Sequence, residues 1–222
     1  MKTRLAVLVS GNGSNLQAMI DACELGYLPA EIVVVVSSRP QAGALERART
    51  HGIPTQVVSR KLYGDDLPAY SQAMLDAVSP YQPDLVLLAG FMSILTAPFV
   101  STFAGRMMNT HPALIPAFYG KGAYGHHVHQ AVLDYGVKVS GASIIFVEEG
   151  VDTGPIILQE AVPVQDDDTV DTLSARVLAV EHHLYVEAVK LFAEGRLQLT
   201  GRKVRTLPSK IESLDRERDH RD

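Results

Sequence analysis

The sequence predicts an α/β protein with a mostly parallel central sheet and helices on both faces, the three-layer arrangement of Rossmann-like folds. Two observations carry this prediction. In the first half of the chain, short runs rich in valine and leucine alternate with segments of helix length, which is the pattern of βαβ units in a buried parallel sheet. In the second half, two longer β-like runs are joined by a short connection, which favours an antiparallel hairpin.

Four strands are predicted in the first half of the chain. Each run is continuously apolar rather than alternating, so each strand should be covered on both faces of the sheet. The runs are RLAVLVS (4–10), EIVVVVSS (31–38), PTQVVS (54–59) and DLVLLAG (84–90), and the intervening helices are expected near 14–25, 41–51 and 67–79.

The second half predicts a strand and a helix, then the hairpin and a long final helix. The strand RMMNTH (106–111) precedes a loop rich in glycine, proline and aromatic residues (112–125) and a helix near 126–135; the hairpin strands are 137–147 and 155–164, and an amphipathic helix lies between 169 and 195. We therefore expect one domain over 1–201, with a phosphate- or nucleotide-binding half (1–105) and a catalytic half (106–201). Residues 202–222 carry charges of both signs and few bulky apolar side chains, which predicts a mobile tail.

Composition limits the partners of this protein. The 222 residues carry a formal charge of −5 with a sequence pI near 5.9, so neither nucleic acid nor an anionic membrane is an expected partner. The single Cys23 excludes an internal disulfide framework and suits a reducing, cytoplasmic setting. No apolar run approaches the roughly 20 residues of a membrane helix, and the apolar stretch 5–9 is too short for a signal-peptide core. Small molecules are the expected partners.

A glycine-rich loop, SGNGSN (10–15), joins the first strand to the first helix. Backbone N–H groups at a helix start lie at the positive end of the helix dipole, so Gly13, Ser14 and Asn15 are candidates for binding a phosphate. The alternative is a tight turn with Ser14 as the N-cap. A dinucleotide fingerprint is disfavoured because Leu16 stands where its third glycine belongs. The motif GKG (120–122) likewise lacks the hydroxyl residue of a Walker sequence.

Asn109 and His111 stand two positions apart at the predicted end of a strand, immediately before Pro112. Alternate strand residues share a face, and proline cannot continue a central ladder, so the two side chains should be presented together. Histidine is suited to proton transfer, and an asparagine N–H can stabilise a developing oxyanion. Pairing with loose backbone groups at the strand end is an equally available structural role.

Asp152 lies in the short connection EEGVDTGP (148–155) between the two hairpin strands. It could cap the turn, or it could meet His111 and support an imidazolium charge. Neither reading is settled by spacing. The remaining histidine groups, 126–129 and 182–183, stand near no cysteine or carboxylate at ligand spacing, so a helix face is expected there and no metal.

Four segments in order resemble the signature segments of the phosphoribosylglycinamide formyltransferases, a folate-dependent family of the purine pathway. They are VLVSGNGSNLQAMIDAC, LAGFMSIL, NTHPALIPAFYGKGAYG and GVDTGPIILQEAVPV, and the resemblance runs from about residue 3 to about residue 200. It implies a Rossmann-like formyltransferase fold and transfer of a formyl group from 10-formyltetrahydrofolate to the amine of glycinamide ribonucleotide, without a metal. A homodimer is one assembly that this prediction allows.

The resemblance also implies roles for individual residues. Asn109, His111 and Asp152 would form the catalytic set, acting on a tetrahedral intermediate formed by direct attack of the amine. Glu181 would join the glycine-rich loop at the ribonucleotide. The implied folate-binding residues are Phe91, Met92, Ile94, Leu95, Val147 and Glu148.

Three departures from the family pattern stand out. Ser93 replaces a usual arginine, and Asp65 and Asp66 lie where relatives often carry a basic residue, which puts charge pairing with the folate tail in doubt. Thr110 replaces a common isoleucine on the opposite face of the strand. Two alternatives stay open: a formyltetrahydrofolate hydrolase, whose relatives carry an extra N-terminal regulatory domain, and a non-catalytic nucleotide-binding domain of the same fold.

Overall fold

The chain folds around a seven-stranded sheet in a computed structural model that describes residues 1–209. The strands are β1 (Thr3–Val9), β2 (Ala30–Ser37), β3 (Thr55–Val57), β4 (Leu85–Leu88), β5 (Met107–His111), β6 (Val139–Phe146) and β7 (Ile156–Pro163). They lie in the order β3-β2-β1-β4-β5-β6-β7. The first five pair in parallel, whereas β6 is antiparallel to both β5 and β7. The predicted mixed sheet and its hairpin are confirmed.

Six α-helices connect and cover the strands. They are α1 (Ser14–Glu24), α2 (Gly43–Thr50), α3 (Leu67–Val78), α4 (Ala97–Thr102), α5 (His126–Tyr135) and α6 (Val170–Ala193), with single 3₁₀ turns at Arg60–Tyr63 and Ser79–Tyr81. Sequence patterns did not predict α4 because its six residues are too few for a helical period to show. Within the described residues, no helix is both long and apolar enough to cross a lipid bilayer.

Two apolar layers sandwich the sheet, and β1 shows how one strand serves both. Leu5, Val7 and Val9 belong to the core under α1 and α6, whereas Ala6 and Leu8 belong to the core under α3 and α4. Successive side chains on a strand point to opposite faces, so a continuous apolar run fills both layers. The predicted three-layer architecture is therefore confirmed.

Gly13 sets the geometry of the glycine-rich loop. Its φ of +80° lies in the left-handed region, and a Cβ built there would lie 2.6 Å from the Cβ of Ala44 in α2. Glycine is required both by the backbone and by this close approach. Helix α1 starts at Ser14 with no side-chain cap, so the alternative that made Ser14 the N-cap is wrong.

The start of α6 is closed by side chains. Thr169 and Thr172 form a reciprocal capping box, and Asp168 accepts two hydrogen bonds from the Arg176 guanidinium, at 2.7 and 2.9 Å. These bonds hold the pKa of the Asp168 carboxyl well below its usual range. The acidic run at 166–168 therefore has a structural role, through the ion pairs of Asp168 with Arg176 and of Asp166 with Lys138.

The chain after α6 forms a second, two-stranded sheet. Strands β8 (Leu197–Thr200) and β9 (Lys203–Thr206) pair in antiparallel fashion, with Leu197 and Val204 packed against the main core. The predicted boundary between 201 and 202 cuts this hairpin, because a short alternating strand needs few bulky residues to pack. Residues 210–222, the rest of the predicted tail, lie outside the described residues.

Candidate active site

A cavity of about 410 Å³ opens at the carboxyl ends of β4 and β5. This is the edge at which open α/β sheets bind ligands. Its wall includes the pair Asn109 and His111, Asp152 from the connection between β6 and β7, and Glu181 from α6. The structure thus gathers residues that are more than 70 positions apart in sequence.

Strand β5 presents Asn109 and His111 together, as predicted. The two residues pair with Ile145 and Ser143 of β6 and therefore share one face, and Pro112 follows directly. The buried Tyr185 hydroxyl of α6 donates a hydrogen bond of 2.9 Å to the Met108 carbonyl, which fixes the strand beside Asn109. Sequence patterns did not identify Tyr185, since an aromatic residue on an apolar helix face is usually core.

Asp152 meets both members of the pair. The Asn109 amide Nδ2 donates to Asp152 Oδ1 at 2.9 Å, and His111 Nδ1 lies 3.3 Å from Asp152 Oδ2. The imidazole is only 2% exposed, so the carboxylate acts on it with little screening by water. The contact between Asp152 and His111, which spacing alone left open, is present in the structure.

The second nitrogen of His111 is also engaged. Nε2 lies 2.9 Å from the carbonyl oxygen of Phe118, which can only accept, so Nε2 must carry a hydrogen. With Nδ1 facing a carboxylate, the two partners together suit the doubly protonated imidazolium. Phe118 has a φ of +51°, a conformation that bulky residues rarely adopt, and this backbone aims its carbonyl at the ring.

The connection that carries Asp152 is tightly shaped. Asp152 itself has a φ of +55°, which aspartate tolerates better than most residues. Gly154 lies against the end of β6, where a Cβ would come within 1.7 Å of the Phe146 carbonyl oxygen, and a Cβ on Gly150 would lie 2.6 Å from Thr153 Oγ1. Close approaches of backbone at Gly154 and of a side chain at Gly150 thus favour glycine at both positions.

The glycine-rich loop is linked to this site by Asn15. Its side-chain Nδ2 donates to Glu181 Oε1 at 2.7 Å, in a bond between buried side chains. Burial raises the pKa of Glu181, and this is opposed by the hydrogen bond of Asn15 and the nearby His111. Gly13 and Ser14 do not line this cavity; they lie at the start of α1, joined to the cavity wall through the Asn15–Glu181 pair.

All six residues implied for folate binding line the cavity: Phe91, Met92, Ile94, Leu95, Val147 and Glu148. Met92 and Ile94 are 52% and 54% exposed, which is unusual for large apolar side chains next to a cavity. The segment is held at both ends, because the Met92 N–H donates to Ser10 Oγ at 2.8 Å and the Thr96 N–H donates to Ser71 Oγ at 2.9 Å. Sequence reasoning missed both serines; a polar residue at a strand end was the only signal for Ser10.

The histidines of α5 divide into two kinds. His126 and His127 are exposed, whereas His129 is buried and lines the cavity. Burial, aided by the nearby His126 and His111, lowers the pKa of His129 to about 4, so it is neutral at pH 7. Among the described residues, no three His, Cys, Asp or Glu side chains are grouped so as to hold a metal ion.

Comparison with known proteins identifies the family. Residues 3–189 match the profile of the formyl transferase family. The chain belongs to that family. Phosphoribosylglycinamide formyltransferase of Escherichia coli is 42% identical over 195 residues, covering 88% of this chain and 89% of that protein. The glycinamide ribonucleotide transformylase 1 structure from Symbiobacterium toebii aligns with a TM-score of 0.88 at 44% identity, covering 93% of this chain and 95% of that one.

A longer relative contains the same unit. The trifunctional purine biosynthetic protein adenosine-3 of Bos taurus is 46% identical over 198 residues. These residues make up 89% of this chain but only 19% of the bovine protein. This formyl transferase chain therefore matches one portion of a multifunctional protein and nearly the full length of the bacterial relatives.

Proposed function

We propose that this formyl transferase moves the formyl group of 10-formyltetrahydrofolate to the amine of glycinamide ribonucleotide, a step of purine biosynthesis. The observation that carries the proposal is the joint placement of Asn109, His111 and Asp152 on one wall of the cavity at the carboxyl ends of β4 and β5. The names of two similar proteins, phosphoribosylglycinamide formyltransferase and glycinamide ribonucleotide transformylase 1, support the same formyl acceptor.

The lining of the same cavity suits the formyl donor. Phe91, Ile94, Leu95 and Val147 supply apolar walls, and a few polar groups at the rim provide orientation, as small-molecule sites generally require. The exposed Met92 and its apolar neighbours would be covered by the bound folate. Ser93 also lines this cavity, so a hydroxyl stands where the family resemblance implies an arginine.

The ribonucleotide phosphate would bind at the start of α1. The Gln17 N–H already donates to the Gly13 carbonyl at 2.9 Å, but the earlier amides of the first helical turn have no partner within the helix. They include those of Ser14 and Asn15, and they lie at the positive end of the helix dipole. Glu181, bonded to Asn15, would then face the ribose.

The reaction would proceed by direct attack. The substrate amine forms a bond to the formyl carbon, whose carbonyl oxygen becomes an oxyanion. Collapse of this tetrahedral intermediate breaks the bond to the folate nitrogen. A proton passes from the attacking nitrogen to the leaving folate nitrogen, so charge and atoms balance.

The catalytic residues divide this work. The amide nitrogen of Asn109 carries two hydrogens and gives one to Asp152, so the other can bond the oxyanion. His111 supplies positive charge beside it, since both its ring nitrogens already face acceptors. Asp152 places a carboxylate beside the imidazole and is the acidic group through which water can relay the proton.

One assay tests the proposal. Purified protein is mixed with 10-formyltetrahydrofolate, and the change in folate absorbance is followed with and without glycinamide ribonucleotide. We expect turnover only when the ribonucleotide is present. Turnover that does not need the amine would instead indicate the hydrolase, and no turnover in either case would indicate a binding domain.

A further inference from the structure

The turn of the C-terminal hairpin reaches the connection that carries Asp152. Strands β8 and β9 are joined by two residues, Gly201 and Arg202, and Gly201 has a φ of +58°, as the first residue of tight hairpin turns requires. Arg202 Nη2 donates a hydrogen bond of 2.8 Å to the backbone carbonyl of Thr153. The contact joins residues 49 positions apart.

Thr153 directly follows Asp152 in the chain, so a hydrogen bond to the Thr153 carbonyl restrains the backbone that positions the Asp152 carboxylate. Within the connection, Thr153 Oγ1 donates to the Glu149 carbonyl at 3.1 Å. This bond joins two residues of the connection and does not link the connection to another element. The Asp152 side chain bonds inward to the β5 pair. Arg202 adds a backbone anchor from the opposite direction, at a segment whose left-handed Asp152 costs conformational energy.

The hairpin is built to hold its turn in place. Leu197 and Val204 pack against the main core. At the open end, Arg196 Nε donates to the Leu207 carbonyl at 2.8 Å, and the Leu207 N–H donates to the Arg196 carbonyl at 2.8 Å. A turn fixed at its base and on one face can act as a rigid point of attachment for a neighbouring loop.

We propose that Arg202 is a positioning residue for formyl transfer: through Thr153 it holds the Asp152 connection so that the carboxylate stays against His111 and Asn109. This inference rests on the proposed function, in which Asp152 supports the charged imidazole. It gives the C-terminal hairpin a role in the reaction, although Arg202 itself lies outside the cavity wall and contacts no reacting group.

The test compares Arg202→Ala with Arg202→Lys and with Arg205→Ala, an exposed arginine on β9 of the same hairpin. One backbone hydrogen bond lost at the surface should lower kcat roughly three- to tenfold, with the KM for the ribonucleotide unchanged. Lysine retains a donor for the carbonyl and should restore most of the rate. Arg205→Ala should match the wild type.

Hydrogen exchange supplies a readout that does not depend on turnover. Amides of residues 148–154 should exchange faster in Arg202→Ala than in the wild type or in Arg205→Ala. Unchanged kcat and exchange in Arg202→Ala would overturn the inference. So would equal losses in Arg205→Ala, or no rescue by lysine. If the wild type itself lacks formyl transfer, the proposed function fails, whereas the exchange result still decides whether Arg202 holds the loop.

Discussion

Replacing Asp152 with asparagine tests the charge at the centre of the site while keeping its shape. The Asn109 amide must still donate to an oxygen, so the new amide oxygen would face Asn109 and its NH₂ would face His111 Nδ1. Nδ1 would then accept, and Nε2 would still donate to the Phe118 carbonyl. The substitution would therefore fix His111 as the neutral imidazole.

The size of the effect follows from the ion pair. At the 3.3 Å separation of His111 Nδ1 and Asp152 Oδ2, opposite charges attract by about 5 kcal/mol at an effective dielectric constant of about 20. The new amide would recover part of this as a neutral hydrogen bond of about 1 kcal/mol. A charged His111 in the transition state would therefore cost about 3–4 kcal/mol more in the variant, which lowers kcat roughly 100- to 1,000-fold.

Steady-state kinetics with saturating ribonucleotide measures this loss. Glu149→Gln is the matched control, because it removes one carboxylate from an exposed position of the same connection and should leave kcat within about twofold. Ribonucleotide binding to Asp152→Asn should be nearly unchanged, since the phosphate site that we propose lies at the start of α1. A kcat within about fivefold of wild type would refute the imidazolium role.

Two further predictions concern stability. Gly13→Ala should lower the free energy of unfolding by about 2–5 kcal/mol, because left-handed strain adds to the collision with Ala44. Gly26, the control position, is also left-handed but has open space around it, so Gly26→Ala should lower the free energy of unfolding by only about 1–2 kcal/mol. Equal losses for the two variants in denaturant titrations would contradict this prediction. The pKa of Asp168 is lower in the folded protein than in the unfolded chain. The contribution of Asp168 to the free energy of unfolding is therefore present above the unfolded pKa of about 3.9 and is lost as the pH falls through the lower folded value. The Tm difference between wild type and Asp168→Asn should therefore be constant above about pH 5 and should shrink in acid, whereas the exposed Asp167→Asn should leave Tm nearly unchanged; a gap that widens in acid would be the opposite sign.

Local patterns predicted most of the fold because each uses only neighbouring residues. Continuous apolar runs predicted β1, β2 and β4, since a strand buried on both faces cannot contain many polar residues. Sequence patterns did not predict the short α4 or the hairpin of β8 and β9, because these elements are too short to show a hydrophobic period. The hairpin's packing depends on Leu197 and Val204 meeting a distant core, which no local pattern records.

The candidate site was predictable in its parts but not in its connections. Asn109 and His111 were predicted to share a face because strand geometry fixes alternate positions. Their partners come from elsewhere: the carbonyl of Phe118 reaches His111 only because that residue adopts a positive φ. The buried Tyr185 behind β5 gave no signal beyond an apolar helix face.

The sequence by itself determined the layered α/β fold, the glycine-rich turn at 10–15, and the paired display of Asn109 and His111. Periodicity and strand geometry act over a few residues, so neighbouring residues are enough to predict these features. Only the tertiary structure decided that Asp152 meets His111, that Asn15 meets Glu181, and that the hairpin of β8 and β9 contacts the connection that carries Asp152. Such contacts depend on how remote segments pack, and packing is a property of the whole chain.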